Sequence, residues 1–154
     1  MILASNNAHK LEEFRAIFAD MGIEIIPQSA AGCHFEVDET GETFEENAYL
    51  KAIAVTRATG QAAIADDSGL EVDALGGAPG VHSARYATDG HDFAANNRLL
   101  LKNLEGAENR RARFRTVISL LLGGEEHLFE GIVEGRIIDR ETGHGGFGFD
   151  PLFI

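Results

Sequence analysis

The sequence predicts an α/β fold on a mixed sheet, and three observations carry the prediction. Short apolar runs alternate with segments of helical periodicity, polar clusters fall at strand ends or in the loops after them, and two long strand-like runs flank a Gly-Gly pair. The order strand, helix, strand, helix, strand and then a long hairpin implies a sheet that is not all parallel.

Met1-Ile2-Leu3-Ala4 reads as a buried strand that turns through Ser5-Asn6-Asn7 directly into a helix. In that helix Leu11, Phe14, Ile17, Phe18 and Met21 recur at helical spacing, and Gly22 closes it. Ile23 to Pro27 reads as a second strand, followed by a loop through Gly32 and a run of carboxylates at Glu36, Asp38, Glu39, Glu42, Glu45 and Glu46. Thr43-Phe44-Glu45-Glu46 has the form of a capping box. It opens a helix whose stripe is Phe44, Ala48, Ala52 and Val55 and which should end near Gly60. Ala62 to Ala65 is wholly apolar, a buried strand expected to deliver Asp66-Asp67-Ser68-Gly69 at its C-terminal end. Gly76-Gly77-Ala78-Pro79-Gly80 is loop chemistry, and Phe93, Leu100, Leu101 and Leu104 mark a third helix. Arg113 to Leu122 and His127 to Ile138 read as two strands joined at Gly123-Gly124.

With 154 residues the chain suits one domain, and a 44% hydrophobic share with ten Phe makes it a core-former rather than a disordered protein. Thirteen Lys+Arg against 25 Asp+Glu give a formal charge of −12. That balance argues against gripping nucleic acid through its phosphates or lying on an anionic membrane, because both need a basic face. An anionic small substrate stays compatible if local cations or a bound metal override the global field. No apolar run approaches the length of a membrane span, and the start lacks the basic segment of a secretory signal. The single cysteine, Cys33, excludes an internal disulfide and fits a reducing cytoplasm. The six His show no zinc-type spacing.

Three clusters carry chemistry. Ser5, Asn7 and Lys10 lie at a strand-to-helix turn, where unpaired N–H groups and the helix dipole suit a phosphate; the plain alternative is an Asn6 or Asn7 N-cap with a solvated Lys10. Asp66 and Asp67 are adjacent carboxylates, costly together unless a cation lies between them, and magnesium takes oxygen ligands of this kind; the alternative is a hydrogen-bonded turn. Glu39 is a further candidate ligand, since Glu46 already has work in the capping box, and Lys51 could offset the carboxylates or reach a phosphate. Gly145-Gly146-Phe147-Gly148-Phe149-Asp150-Pro151 could bring backbone and a ring against a planar ligand, or could be a glycine-rich loop with Phe plugged into the core.

Taken together and in order, these segments are far more specific. Ser5-x-Asn7-x-x-Lys10-x-x-Glu13, Phe44-x-Glu46-Asn47-Ala48-x-x-Lys51-Ala52, Ala65-Asp66-Asp67-Ser68-Gly69-Leu70, Gly76-Gly77-Ala78-Pro79-Gly80-x-x-Ser83-Ala84-Arg85-Tyr86 and Gly146-Phe147-Gly148-Phe149-Asp150-Pro151 resemble the non-canonical purine nucleoside triphosphate pyrophosphatases along the whole chain. The resemblance implies an elongated, two-lobed α/β protein around a long curved mixed sheet, with helices packed on the sheet and the active-site cleft between the lobes. It implies a cytoplasmic homodimer that hydrolyses dITP, ITP or XTP to the monophosphate and pyrophosphate, with Mg2+, or Mn2+ in its place. It assigns Ser5, Asn6, Asn7, Ala8, His9 and Lys10 to the triphosphate and Glu39 and Asp67 to the metal, with Asp66 in support or on a shared metal. Ser68 falls near the phosphates, Phe147, Gly148, Phe149 and Asp150 fall around base and ribose, and Asp67 is the general base.

Relatives of this kind continue past the Phe-Gly-aromatic-Asp-Pro motif through a lysine and a Ser-His-Arg segment that contacts the purine 6-oxo group. A single domain over residues 1–154 without that segment and its final helix is the expectation here, so base discrimination is the property at stake. The competing class is a non-catalytic nucleotide-binding or dimerisation module, against which the Asp66-Asp67 pair speaks. A pyrophosphatase of modified pyrimidine nucleotides shares a Ser-Asn start but not the Phe147-Gly148-Phe149-Asp150 segment.

Overall fold

A computed structural model of the chain describes residues 1–88, 90, 92–140 and 148–154. Five strands form one sheet in the order β2-β1-β3-β4-β5: β1 is Ile2–Leu3, β2 Ile26–Pro27, β3 Ala63–Val72, β4 Arg111–Leu122 and β5 Glu125–Arg136. Three α-helices accompany them: α1 over Ala8–Ala19, α2 over Phe44–Thr59 and α3 over Phe93–Asn103. β1 pairs in parallel with both β2 and β3, Ile2 lying opposite Ile26 and Ala63. β4 and β5 are joined by the two residues Gly123-Gly124 and therefore run antiparallel, so the sheet is mixed, as expected. Both turn glycines have positive φ, 60° and 85°, the backbone that a two-residue hairpin turn with the strands' own twist requires.

The contacts divide the chain into two compact units, Met1–Asp67 with Val117–Glu130, and Ser68–Thr116 with Gly131–Ile154. In the first, alternation along the short strands sets everything else. Ile2 and Ala4 of the β1 segment and Ala63 and Ala65 of β3 pack with Cys33 and with Ala52 and Val55 of α2. The intervening Leu3 and Ile64 point the other way and pack with Ile25 and with Phe14 of α1. The two helices thus cover opposite faces, and successive β3 residues address α1 and α2 in turn.

In the second unit Leu70, Val72, Leu100, Leu104, Ala112, Ile137, Phe149 and Leu152 form the core. Ser83 accepts from the Leu70 amide at 2.9 Å and donates to the Gly80 carbonyl, fixing the Gly-rich segment against β3.

Beside shifts of two residues in β4 and β5, three boundaries differ from expectation. β2 is two residues rather than five, because β1 offers only Ile2 and Leu3 to pair with. α1 ends at Ala19, and Ile17 and Met21 are exposed. The stripe that packs is narrower: Phe14 stacks on Phe18 at 6.4 Å, and these two with Leu11 cover the face, while Met21 lies beyond the helix end. Most consequentially, β3 does not stop at Ala65; Asp66, Asp67, Ser68 and Gly69 lie inside it rather than after its end. Within it Asp66 meets Lys10 of α1, Asp67 lies beside Asn47 of α2, and Ser68 meets Thr116 of β4.

Candidate active site

Asn7 is the N-cap of α1: its Oδ1 accepts from the amides of His9 at 3.0 Å and Lys10 at 3.2 Å. Ser5 Oγ accepts from the Asn7 amide, and Asn6 Oδ1 from the Ser29 amide. The capping alternative therefore holds for Asn7, whereas the solvated lysine does not: Lys10 Nζ lies 3.1 Å from Asp66 Oδ1. Asn6, Asn7, Ala8 and His9 remain exposed at the positive end of the helix, where a phosphate can still reach them. His9 leans on Glu13, 3.2 Å away.

Strand alternation decides the acidic pair. Asp66 shares the face of Ile64, toward α1, and is almost buried beside Lys10. Asp67 shares the face of Ala63 and Ala65, toward α2, beside the Asn47 amide. Lys51, one turn beyond Asn47, pairs with Glu39 at 2.8 Å and also donates to the Asp66 carbonyl. Burial pushes the Asp67 carboxyl up from 3.8 to about 6; the Glu39 charge adds to the rise, while Lys51, the Asn47 hydrogen bond and Lys10 pull it back.

Glu39, Asp66, Asp67, Lys10 and Lys51 are thus one constellation of three carboxylates and two ammonium groups, all within the first unit. Among the described residues no three His, Cys, Asp or Glu side chains form a self-sufficient metal cage. The donor set nonetheless fits magnesium: it is all oxygen, and this ion is usually held by one or two carboxylates together with water and substrate phosphates. Asp67, raised by burial and by the neighbouring Glu39 charge, is the group that a cation would relieve most.

The remaining candidates lie in the second unit. Ser68 Oγ sits 2.9 Å from Thr116 Oγ1 on an exposed surface. Phe149 is buried in the core with its ring edge-on to Tyr86, so for this residue the packing alternative is the observed one and its ring is not available for stacking on a base. The Gly148 carbonyl accepts from Asn97 Nδ2 at 3.0 Å. Phe147 lies outside the described residues, and Asp150 opens a short 3-10 turn.

Sequence comparison matches the Ham1 family over residues 1–154. The chain belongs to that family. Among curated Ham1-like relatives, the dITP/XTP pyrophosphatase of Bacillus licheniformis is 46% identical over 157 residues, covering all of this chain and 80% of its own length. That of Bordetella pertussis is 49% identical over 159 residues, covering 99% of this chain and 74% of its own. The solved Ham1 protein of Staphylococcus aureus superposes with a TM-score of 0.91 at 46% identity, and that of Coxiella burnetii with 0.92 at 40%, each covering 99% of this chain and 79% of the other. The resemblance read from the motifs and the α/β fold are both borne out. Asn47, quoted in the α2 motif without a role, and Gly41, not singled out at all, lie beside these carboxylates; the available signal was Asn47 and Lys51 at i, i+4, next to the apolar stripe of α2.

Proposed function

We propose that this chain hydrolyses deaminated purine nucleoside triphosphates, dITP, ITP or XTP, at the α–β anhydride, releasing the monophosphate and pyrophosphate. The observation that carries the reading is Asp67, a carboxylate held half-buried by Asn47 among Glu39, Lys51 and Lys10. Asp67 accepts the proton of the attacking water, and its raised affinity for a proton suits that work near neutral pH. Lys10, Ser5 and the exposed stretch from Asn6 to His9 at the start of α1 bind the phosphates and stabilise the charge that grows on departing pyrophosphate. Lys51 holds Glu39 in place.

Asp67 and Glu39, with Asp66 in support, would hold Mg2+ or Mn2+, whose chemistry is to neutralise phosphate charge and acidify water. Roles for Ser68, Gly148 and Asp150, and for Phe149 through its backbone only, rest on the family resemblance. So do a homodimer and a cytoplasmic setting, the latter supported also by one unpaired thiol.

The test is pyrophosphate release with Mg2+ from ITP, XTP, dITP, ATP and GTP at matched concentration. Release from the first three identifies the activity, and their ratio to ATP measures base discrimination. Asp67→Asn is expected to lower kcat at least a hundredfold while nucleotide still protects the fold against heat. Heat protection by nucleotide with no pyrophosphate from the parent chain would establish a binding module instead.

A further inference from the structure

Asn47 is 1% exposed, one turn inside α2, where an amide is costly unless all its groups are used. Its Oδ1 accepts from the Gly41 amide at 2.8 Å, its Nδ2 faces the Gly41 carbonyl at 3.4 Å, and its amide lies beside the Asp67 carboxyl, favouring the charged form there. Of the side chains of this size only a carboxamide offers both the acceptor and the donors that this arrangement uses, and its orientation follows, since a backbone N–H needs the oxygen.

The loop is held from a second point. Glu46 Oε2 accepts from the Glu42 amide at 2.9 Å, while Thr43 Oγ1 accepts from the Glu46 amide. The capping box is thus displaced by one residue, its return bond reaching Glu42 rather than Thr43. Gly41 is pressed so closely that a Cβ there would meet Glu46 Cβ at 2.6 Å and Asn47 Oδ1 at 2.7 Å. Two residues upstream Glu39 lands on Lys51, the next turn of the same helix face. One face of α2 therefore carries both acidic groups, Asp67 on Asn47 and Glu39 on Lys51.

We propose that Asn47 is a positioning residue which, by clamping the Glu39–Gly41 loop to the face of α2 that Asp67 also meets, fixes the separation of Asp67 and Glu39 and so sets the affinity of the site for a divalent cation. This rests on the function proposed above only for its second readout. The first is Mn2+ binding, followed by the electron paramagnetic resonance of free Mn2+, on the parent chain and on Asn47→Ala. An approximately tenfold or greater loss of affinity is expected, the usual range for partners that orient metal ligands. In the ITP assay the same variant should need correspondingly more metal for half-maximal rate, with the KM for ITP at saturating metal within about twofold of the parent.

A structural role alone would lower the melting temperature and leave the metal constant unmoved, and that result overturns the proposal. Should Asn47→Ala not fold, Gly41→Ala displaces the loop from the other side and is expected to weaken Mn2+ similarly; unchanged affinity there also overturns it. A parent that binds Mn2+ without hydrolysing ITP removes the proposed reaction but leaves the comparison of metal constants decisive. A parent that neither binds Mn2+ nor is activated by it removes both.

Discussion

Asp67 illustrates how one side chain ties stability to chemistry. Its folded-state pKa, about 6, is above the ordinary 3.8, so the folded chain holds this proton more tightly than the unfolded chain does. The contribution to stability is complete below about pH 4 and is lost as the pH rises through about 6. Asp67→Asn is therefore expected to melt higher than the parent at pH 7.5, by on the order of 1–2 kcal/mol after solvent screening, and level with it near pH 4. Melting curves across that range check the sign. Added Mg2+ should narrow the gap by favouring the charged form in the parent. The acidic pair itself was legible in the sequence, but the opposed directions of Asp66 and Asp67 were not. They follow from β3 running on through the pair, and Lys10, Asn47 and Lys51, which surround it there, are distant in sequence and meet it only through tertiary packing.

At the scale of elements, local chemistry was readable where it decided the outcome. Thr43 caps α2, Gly60 closes it and Gly123-Gly124 turns β4 into β5, each visible from residue types alone. The end of β3 was not readable, since Asp-Asp-Ser-Gly taken alone is turn chemistry and its partners on α1, α2 and β4 are distant in sequence. Replacing Gly123-Gly124 by Ala-Ala forces two side chains into the left-handed region and is expected to cost about 2 kcal/mol. The melting temperature should fall by about 5 °C, whereas Asn-Gly should be nearly neutral. Equal melting of all three chains would mean that the turn contributes nothing to register.

For the molecule as a whole, a net charge of −12 sets a field against an anionic substrate, and what counters it is local: Lys10 at the start of α1 and Lys51 on α2. No helix among the described residues is long and apolar enough to cross a membrane. The chain's one thiol, Cys33, is 2% exposed in the core that joins β1, β3 and α2. That burial equips the protein with a built-in clock. An aromatic disulfide reagent such as DTNB can colour the solution only as fast as the first unit opens, so the rate under native conditions reads the opening free energy without any engineered label. Nucleotide and metal that bind the closed form should slow the reaction in proportion to their occupancy, while full denaturant should release one equivalent at once.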